Sequence, residues 1–249
     1  MTQCETLLAK GRYVARVAAT STDVRTAQAL RGACFGTGGL DVDAFDDLCR
    51  HVLIEEQASG HLVCCFRVLV LQRGEQLRQS YSAQYYDLAG LAAFEGITAE
   101  IGRFCIHEGA ATDPDVLRIA WGAITAMVDA QDVRLLFGCS SFKGTDPAPY
   151  FDSLSLLRAR HLAPATLRPE IKASKVFEFS DLPPRAPDLR AAMRAMPPLL
   201  RTYLLMGGWV SDHAVVDEAL DTLHVFTGVE VGAIPEGRKR LLRSVAASA

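Results

Sequence analysis

The 249-residue sequence lacks several features that define whole classes of protein. No apolar run approaches the roughly 18 residues of a membrane-spanning helix, and Arg201 interrupts the best candidate, residues 199–206. No apolar stretch precedes Lys10 and Arg12, so a secretory signal is not expected. There is no Gly-x-Ser-x-Gly elbow and no Cys-x-x-Cys pair. Serine hydrolases of the α/β type and zinc or dithiol redox proteins are therefore disfavoured.

A strong charge of either sign is also missing. The chain has 26 basic and 29 acidic residues, a net charge of −3, which argues against nucleic acid as a partner. Hydrophobic residues make up 49 % and charged residues 22 %, a balance typical of a globular protein. The seven cysteines are an odd number without paired spacing, which favours reduced thiols in a cytoplasmic protein.

Strand and helix patterns alternate along the first two thirds of the chain. Strands are predicted over residues 13–19, 51–56, 61–71, 98–106 and 133–138, and helices over 23–35, 114–130 and 150–161. Residues 75–94 are expected to be partly helical, above all over 83–93, and 140–149 to form a loop. This alternation predicts an α/β fold, an α+β mixed sheet, with parallel strands on either side of the helix 114–130.

Proline becomes frequent after residue 163, where long helices are therefore not expected. Short helices are predicted over 189–196 and 199–205, and a pair of strands over 209–217 and 223–231. We expect residues 11–163 to form the core domain and residues 164–249 a proline-rich C-terminal extension packed on it.

The segment Glu100-Ile-Gly-Arg-Phe-Cys-Ile106 is the strongest local signal for chemistry. Strict alternation would put Glu100 and Phe104 on one face of a strand, and Arg103 and Cys105 on the other. A charged residue on each face of a central strand is costly unless both are paired or functional. Two interpretations stay open here: buried ion pairs with other strands, or a catalytic site.

Charged residues at helical spacing form a second group. Arg31 and Phe35 lie one helical turn apart, and Asp43 and Asp46 follow beyond a glycine-rich turn. The acidic residues could bind a cationic small molecule or simply form a solvated turn. Arg67 lies in an apolar strand, where a buried arginine requires a carboxylate partner.

Positive charge is concentrated late in the chain. Residues 156–201 contain nine basic and four acidic residues, and arginines alternate with leucine and methionine there. Such a segment suits an acidic protein partner or a membrane surface, and it is equally typical of an ordinary amphipathic surface element.

Together these residues resemble a known group of enzymes. The set Arg31, Phe35, Asp43, Asp46, Arg67, Glu100 and Arg103 resembles acyl-homoserine-lactone synthases, a branch of the GNAT-like acyltransferase fold. The stretches Leu135-Leu-Phe-Gly-Cys-Ser-Ser-Phe142, Gly144-Thr-Asp-Pro147 and Pro197-Pro-Leu-Leu-Arg-Thr-Tyr-Leu204, with the Glu100 segment, resemble the haemolysin-like ornithine-lipid N-acyltransferases more closely. The likeness extends over residues 15–231.

The resemblance implies a GNAT-like acyltransferase that moves a 3-hydroxyacyl chain from acyl carrier protein to the α-amine of ornithine. The product would be lyso-ornithine lipid. The same reaction on glutamine and an acyl-homoserine-lactone synthase are the alternatives. No cofactor or metal is implied, because the acyl-phosphopantetheine of the carrier protein is a substrate. Residues 36–42 lack the tryptophan of the lactone synthases, and His107 to Ala111 lack the usual coenzyme A diphosphate loop, which fits a carrier-protein donor.

Individual roles are implied by the same resemblance. Glu100 is the expected base, with its pKa raised by apolar neighbours, and Arg103 is expected to pair with Asp43 or Asp46 and to shape the acceptor site. Asp46 could receive the δ-ammonium of ornithine. The remaining expected roles are oxyanion stabilisation by the backbone of Phe104, Cys105 and Ile106, proton donation by Tyr85, Tyr86 or Ser140, substrate contacts by Arg31, Phe35 and Arg67, and carrier-protein docking by Arg158, Arg160, Arg190 and Arg194.

A peripheral position on the inner face of the membrane is expected for an enzyme with a lipid product, with residues 197–205 near the surface.

Overall fold

A computed structural model of the chain describes residues 5–246 and divides into two compact units. The first unit contains the described residues up to Val70, Ile101–Val133, and the described residues from Pro235 onward. The second contains Leu71–Glu100 and Arg134–Ile234. These limits differ from the expected boundary after residue 163, and residues 247–249 of the expected extension lie outside the described part.

The strands of the first unit form an antiparallel meander. Its elements are β1 (Thr6–Lys10), β2 (Tyr13–Val17), β3 (Arg50–Glu56) and β4 (Leu62–Leu71), followed in the strand order by the end of β6 (Ile97–Ile106). Neighbouring strands from β1 to β4 are antiparallel, and Val52 lies opposite Phe66 in the hairpin predicted from the sequence.

Three helices cover this meander, α1 (Ser21–Phe35), α2 (Pro114–Ala130) and α6 (Glu236–Ala246). Thr20 caps α1 through a capping box with Asp23, and Gly36 ends the helix in the left-handed conformation with φ 68°. Because Ala27 and Leu30 lie on one face of α1, they pack against the sheet. The sequence patterns predicted α1 and α2, whereas α6 was missed.

The second unit is built on β7 (Val133–Lys143) and β12 (Thr222–Glu230), which pair antiparallel along most of their length. Its other elements are β5 (Tyr86–Asp87), α3 (Phe151–Arg160), β8 (Glu170–Ile171), β9 (Val176–Glu178), α4 (Leu189–Ala195), α5 (Pro198–Leu205), β10 (Trp209–Val210) and β11 (His213–Asp217). A core that includes Phe142, Leu157, Leu200 and Val225 joins α3 and α5 to these two strands.

Two sequence predictions are wrong within this unit. Residues 75–94 form three short 3-10 helices and β5 instead of a longer helix. The backbone at Gly74 packs directly against the backbone at Ala92, where a Cβ on Gly74 would stand 1.9 Å from the Ala92 carbonyl oxygen. The segment therefore folds back on itself and does not extend as one helix. Residues 140–143 are strand and not loop, because β7 stays paired with β12 as far as Lys143. The predicted mixed α/β class is confirmed.

A test of the packing in the second unit uses Gly228. This residue lies opposite Trp209, and a Cβ on it would stand 2.5 Å from the Trp209 ring. We expect Gly228→Ala to lower the free energy of unfolding by about 1–3 kcal/mol. Gly232→Ala is the control, since a Cβ there meets no atom within 4 Å. Equal urea-unfolding midpoints for the two variants would contradict the packing described.

Candidate active site

Glu100 is held by the turn that carries Tyr81 and Ser82. One carboxylate oxygen, Oε1, accepts hydrogen bonds from the Ser82 amide (2.7 Å) and the Ser82 hydroxyl (2.6 Å). The other, Oε2, accepts one from the Tyr81 amide (2.8 Å). The residue is 5 % exposed. Three hydrogen-bond donors therefore face the Glu100 carboxylate, and such bonds favour the ionised form of an acid.

Hydrogen bonds within the turn hold its backbone in the conformation that points these donors at Glu100. The Ser80 hydroxyl donates to the Leu77 carbonyl (2.6 Å) and accepts from the Ala83 amide (3.2 Å). Ser82 begins a 3-10 helix, and its hydroxyl also lies 3.5 Å from the thiol of Cys139 on β7. The sequence reasoning missed Ser82, because this segment was expected to be helical.

Arg103, in the first unit, interrupts the alternation of β6. Its φ of 51° is left-handed, which is costly for a residue with a side chain and typical of a strand irregularity. A Cβ on Gly102 would lie 3.5 Å from Nε of Arg67. The Arg103 side chain binds Asp43, which Arg67 also binds, so positions 102 and 103 point toward the same group of charges. The expectation of strict alternation is therefore wrong between Gly102 and Arg103.

Three arginines and three aspartates of the first unit form a closed ring of alternating charge, called here the ion ring. Its members in order are Arg31, Asp41, Arg103, Asp43, Arg67 and Asp46, which returns to Arg31. The ring carries no net charge when all six groups are ionised. Such alternation gives each buried charge two opposite neighbours.

One part of the ion ring is centred on α1. Arg31 is 1 % exposed and donates through Nε to Asp41 and through Nη1 to Asp46, both at 2.7 Å. Gln28, also on α1, donates to Asp46 at 2.9 Å. Asp41 had been counted only as one of several acidic residues, so its place in the ring was not foreseen.

The strand side of the ion ring is equally well bonded. Arg67 donates to both oxygens of Asp43, at 2.5 and 2.8 Å, and to Asp46 at 2.7 Å. Arg103 binds Asp41 through Nε at 2.9 Å and Asp43 through Nη2 at 3.0 Å. The predicted carboxylate partner of Arg67 and the predicted pairing of Arg103 with Asp43 are both confirmed.

The ion ring also sets the ionisation of its acids. Burial by itself would raise the pKa of Asp43, but the hydrogen bonds from Arg67, together with the positive charges of Arg67 and Arg103, outweigh it and hold that pKa below the ordinary 3.8. The same balance, with Arg31 as the main donor, lowers the pKa of Asp46 further. Asp46 is therefore an ion-pair partner of Arg31 and Arg67, and arginine neutralises the three aspartates of the ring.

The other predicted contact residues of β6 and α1 make separate contacts in the first unit. Phe35 packs under the Arg103 guanidinium at 5.5 Å, and Phe104 stacks on Phe66 at 5.6 Å. Cys105 is buried beside α1, and the Ile106 carbonyl accepts a hydrogen bond from the Cys34 thiol at 3.4 Å.

The predicted proton donors lie in the second unit. Tyr86 is fully buried and hydrogen-bonded to His224, at 3.1 Å from Nδ1 and 2.8 Å from the carbonyl. Burial raises the pKa of Tyr86 and lowers that of His224 to about 4.

Ser140 accepts a hydrogen bond from Thr227. The Tyr85 hydroxyl lies 3.4 Å from Asp217. His224 was not singled out in the sequence, which gives no sign of its contact with Tyr86.

The predicted docking arginines differ in their availability. Arg158 donates to the carbonyl of Phe179 at 2.8 Å, so it supports the fold. Arg160 is exposed at the end of α3. Arg190 and Arg194 are exposed on α4, and among residues 5–246 no ion pair to either is found. They share their helix with the exposed side chains of Leu189 and Met193.

Within residues 5–246, no group of three or more His, Cys, Asp or Glu side chains could hold a metal ion. In the same range no helix has the length and apolarity needed to cross a bilayer.

Comparison with known proteins places this geometry in a fold family. Residues 28–120 match the model of the acetyltransferase (GNAT) domain, and this range contains both Glu100 and the ion ring. The N-acyl amino acid synthase FeeM from uncultured soil microbes has a similar structure, with a TM-score of 0.52 at 10 % identity over 90 % of this chain and 94 % of that one. The loading GNATL domain of CurA from Lyngbya majuscula gives 0.51 at 12 % identity, over 89 % and 99 % of the two chains. The predicted GNAT-like fold is confirmed.

Sequence relatives narrow the family. An L-ornithine N(alpha)-acyltransferase of Rhodobacter capsulatus is 34 % identical over 242 residues, which cover 90 % of this chain and 92 % of the relative. The chain belongs to the L-ornithine N(alpha)-acyltransferase family. A further member, from Brucella abortus, is 31 % identical over 195 residues, covering 75 % of this chain and 68 % of that protein. As a member of this acyltransferase family the chain is an N-acyltransferase, and the resemblance stated from its motifs is confirmed.

The structural weight of the ion ring can be measured at Arg31. Arg31→Met leaves Asp41 and Asp46 buried with one cation fewer, so we expect it to lower the free energy of unfolding by about 3–5 kcal/mol. Arg25→Met on the exposed face of α1 is the matched control and should change it by less than about 0.5 kcal/mol. Denaturant unfolding measures both variants, and similar losses in the two would show that the ring does not stabilise the fold.

Proposed function

We propose that this N-acyltransferase transfers a 3-hydroxyacyl chain from acyl carrier protein to the α-amine of ornithine, forming lyso-ornithine lipid. The observation that carries the proposal is the likeness to proteins named L-ornithine N(alpha)-acyltransferase, which in one relative extends over nine tenths of both chains. The lipid product would have the enzyme work at the inner surface of the membrane as a peripheral protein.

The proposed reaction exchanges one acyl bond for another. The ornithine nitrogen attacks the thioester carbonyl, the new C–N bond forms, and the C–S bond to the carrier's phosphopantetheine breaks. The amine is largely protonated at neutral pH, so the nitrogen must lose a proton to attack and a second one to become an amide. The released thiolate takes up one of these two protons, and the other passes to solvent.

Glu100 is the proposed base for the nitrogen. It lies on the strand that continues into Phe104, Cys105 and Ile106, whose backbone amides are the proposed donors to the oxyanion. The support for Glu100 is that its carboxylate is buried, accepts three hydrogen bonds and is thereby kept ionised and fixed in direction. An oriented, ionised carboxylate is the state that a general base requires.

The ion ring is proposed to support the site without binding substrate directly. Asp46 already binds both Arg31 and Arg67, and all three side chains are almost fully buried. A substrate could therefore reach them only by displacing an ion pair. Arg103 is the ring member on the same strand as Glu100 and three residues from it. Its proposed role is to hold the irregular backbone of β6 at its own position.

The donor is proposed to dock on α4. Arg190 and Arg194 offer two exposed cations, and Leu189 and Met193 two exposed apolar side chains. An acidic carrier protein complements such a surface in charge. Residues 197–205 are less suited to a membrane contact than the sequence suggested, because Leu200 and Tyr203 are buried and Leu205 is the strongly exposed leucine of α5.

The base is tested by Glu100→Gln. We expect the turnover per folded enzyme to fall at least about 100-fold, because the amide cannot accept the proton. The variant also turns an NH₂ group toward one of three donors, so its free energy of unfolding should fall by about 1–3 kcal/mol. Turnover is therefore normalised to the folded fraction. Wild-type turnover in that assay would remove Glu100 from the base role.

The docking surface is tested by reversing the charge at Arg190 and Arg194 together. We expect the KM for acyl carrier protein to rise about 10-fold and the KM for ornithine to change by less than about twofold, since only the acidic carrier protein is proposed to contact α4. The matched control is Arg238→Glu with Arg240→Glu on α6, which makes the same change of net charge. Equal effects on the two substrates, or equal effects of the two double variants, would refute docking on α4.

The acceptor is tested by expressing the chain in a host without aminolipids and measuring the masses of new lipids. The expected product is a lyso-lipid with the mass of ornithine joined to a 3-hydroxyacyl chain. A lyso-lipid with the mass of glutamine would identify the alternative acceptor, and a diffusible acyl lactone would refute the proposed acceptor class.

A further inference from the structure

We propose that Ser82 is the positioning residue of the catalytic base: its hydroxyl fixes the Glu100 carboxylate and tunes its basicity. This inference rests on the proposed function of Glu100 as the base. Ser82 touches no substrate in this account and acts only through Glu100.

The first observation is the number of contacts that this one residue makes. Ser82 donates two hydrogen bonds to the Glu100 carboxylate, one from its amide (2.7 Å) and one from its hydroxyl (2.6 Å), and both reach Oε1. The Tyr81 amide holds Oε2 at 2.8 Å. A carboxylate held at both oxygens cannot rotate about its last side-chain bond without breaking several hydrogen bonds. The hydroxyl bond is the one among them that a substitution removes without altering the backbone.

The second observation is the orientation of the Ser82 hydroxyl. An ionised carboxylate is only an acceptor, so the single hydroxyl proton of Ser82 must point to Glu100. The oxygen can then accept from the Cys139 thiol, which lies 3.5 Å away. Ser82 is completely buried, so water does not compete for this proton. The hydroxyl is thus committed to the carboxylate for as long as Glu100 is ionised.

A hydrogen bond to the charged form of an acid stabilises that form. Loss of such a bond to a charged group shifts its titration by about one to two pH units. Loss of the hydroxyl should therefore make the carboxylate a stronger base that is ionised only at higher pH and is held less firmly. The acid limb of the pH–activity profile would report the change in ionisation. The value of kcat would report the looser positioning of the carboxylate.

The experiment compares Ser82→Ala, Ser82→Cys and wild type in the full chain, with acyl carrier protein and ornithine as substrates. For Ser82→Ala we expect the acid limb of kcat/KM to move up by about one pH unit. We also expect kcat at neutral pH to fall about tenfold at an unchanged ornithine KM. Ser82→Cys should lie between, because a thiol is a weaker donor than a hydroxyl.

Ser80→Ala is the matched control. Ser80 is just as buried and lies in the same turn, but its hydroxyl bonds to Leu77 and Ala83 and not to Glu100. It should lower stability without moving the acid limb. A purely structural role for Ser82 would give the same result as Ser80→Ala, and that outcome would overturn the inference.

The outcome for Glu100→Gln separates this inference from the proposed function. If that variant is inactive and the acid limb of Ser82→Ala coincides with the wild type, the positioning role is refuted while the base assignment stands. If Glu100→Gln keeps its turnover, the base assignment fails, and the positioning role fails with it. A graded shift across the three residues at position 82, with an inactive Glu100→Gln, supports both.

Discussion

The first unit depends on the mutual neutralisation of six charges, four of them buried and two, on Asp43 and Arg103, half-buried. An isolated arginine or aspartate with so little exposure would cost several kcal/mol, and a single ion pair would offset only part of that cost. In the ion ring each cation has two anions and each anion has two cations, so no charge depends on a single partner. The ring joins α1, the segment after Gly39, β4 and β6. The ring thus adds a polar connection to pieces that the apolar packing of α1 and the pairing of the strands already bring together.

This interaction also explains why β6 can tolerate an irregularity. Arg103 has a left-handed backbone, which costs on the order of 1–3 kcal/mol. Its guanidinium is held by Asp41 and Asp43 and packs on Phe35, and these contacts stabilise the strained conformation. The same strand carries Glu100 three residues earlier, where a separate turn fixes the carboxylate. Two independent sets of contacts therefore hold the two charged residues that the sequence singled out.

The sequence predicted those parts of the site that obey local rules. An arginine in an apolar strand requires an acid, and Arg67 does bind Asp43 and Asp46. Asp41 was missed, because closure of a ring depends on the spatial arrangement of four segments and not on spacing. The left-handed backbone of Arg103 was missed, because a non-glycine residue gives no sign of it. Ser82 was missed because residues 75–94 were taken as helical, although a buried strand carboxylate needed donors and Ser80-Tyr81-Ser82 offered them.

The hydrogen bonds on Glu100 constrain the order of the proposed chemical steps. With ordinary pKa values of about 4.3 for a glutamic acid and about 8 for an α-amine, transfer of a proton from ammonium to carboxylate is unfavourable by about 5 kcal/mol. Three donors on the carboxylate make that transfer less favourable still. Once the nitrogen has bonded to the thioester carbon, however, the two protons still on it are far more acidic. Transfer of one of them to the carboxylate then becomes favourable. A base fixed in this way therefore acts on the nitrogen as the C–N bond forms, and its value lies in its direction more than in its strength. For that reason the residue that sets the direction of the carboxylate matters as much as the carboxylate itself.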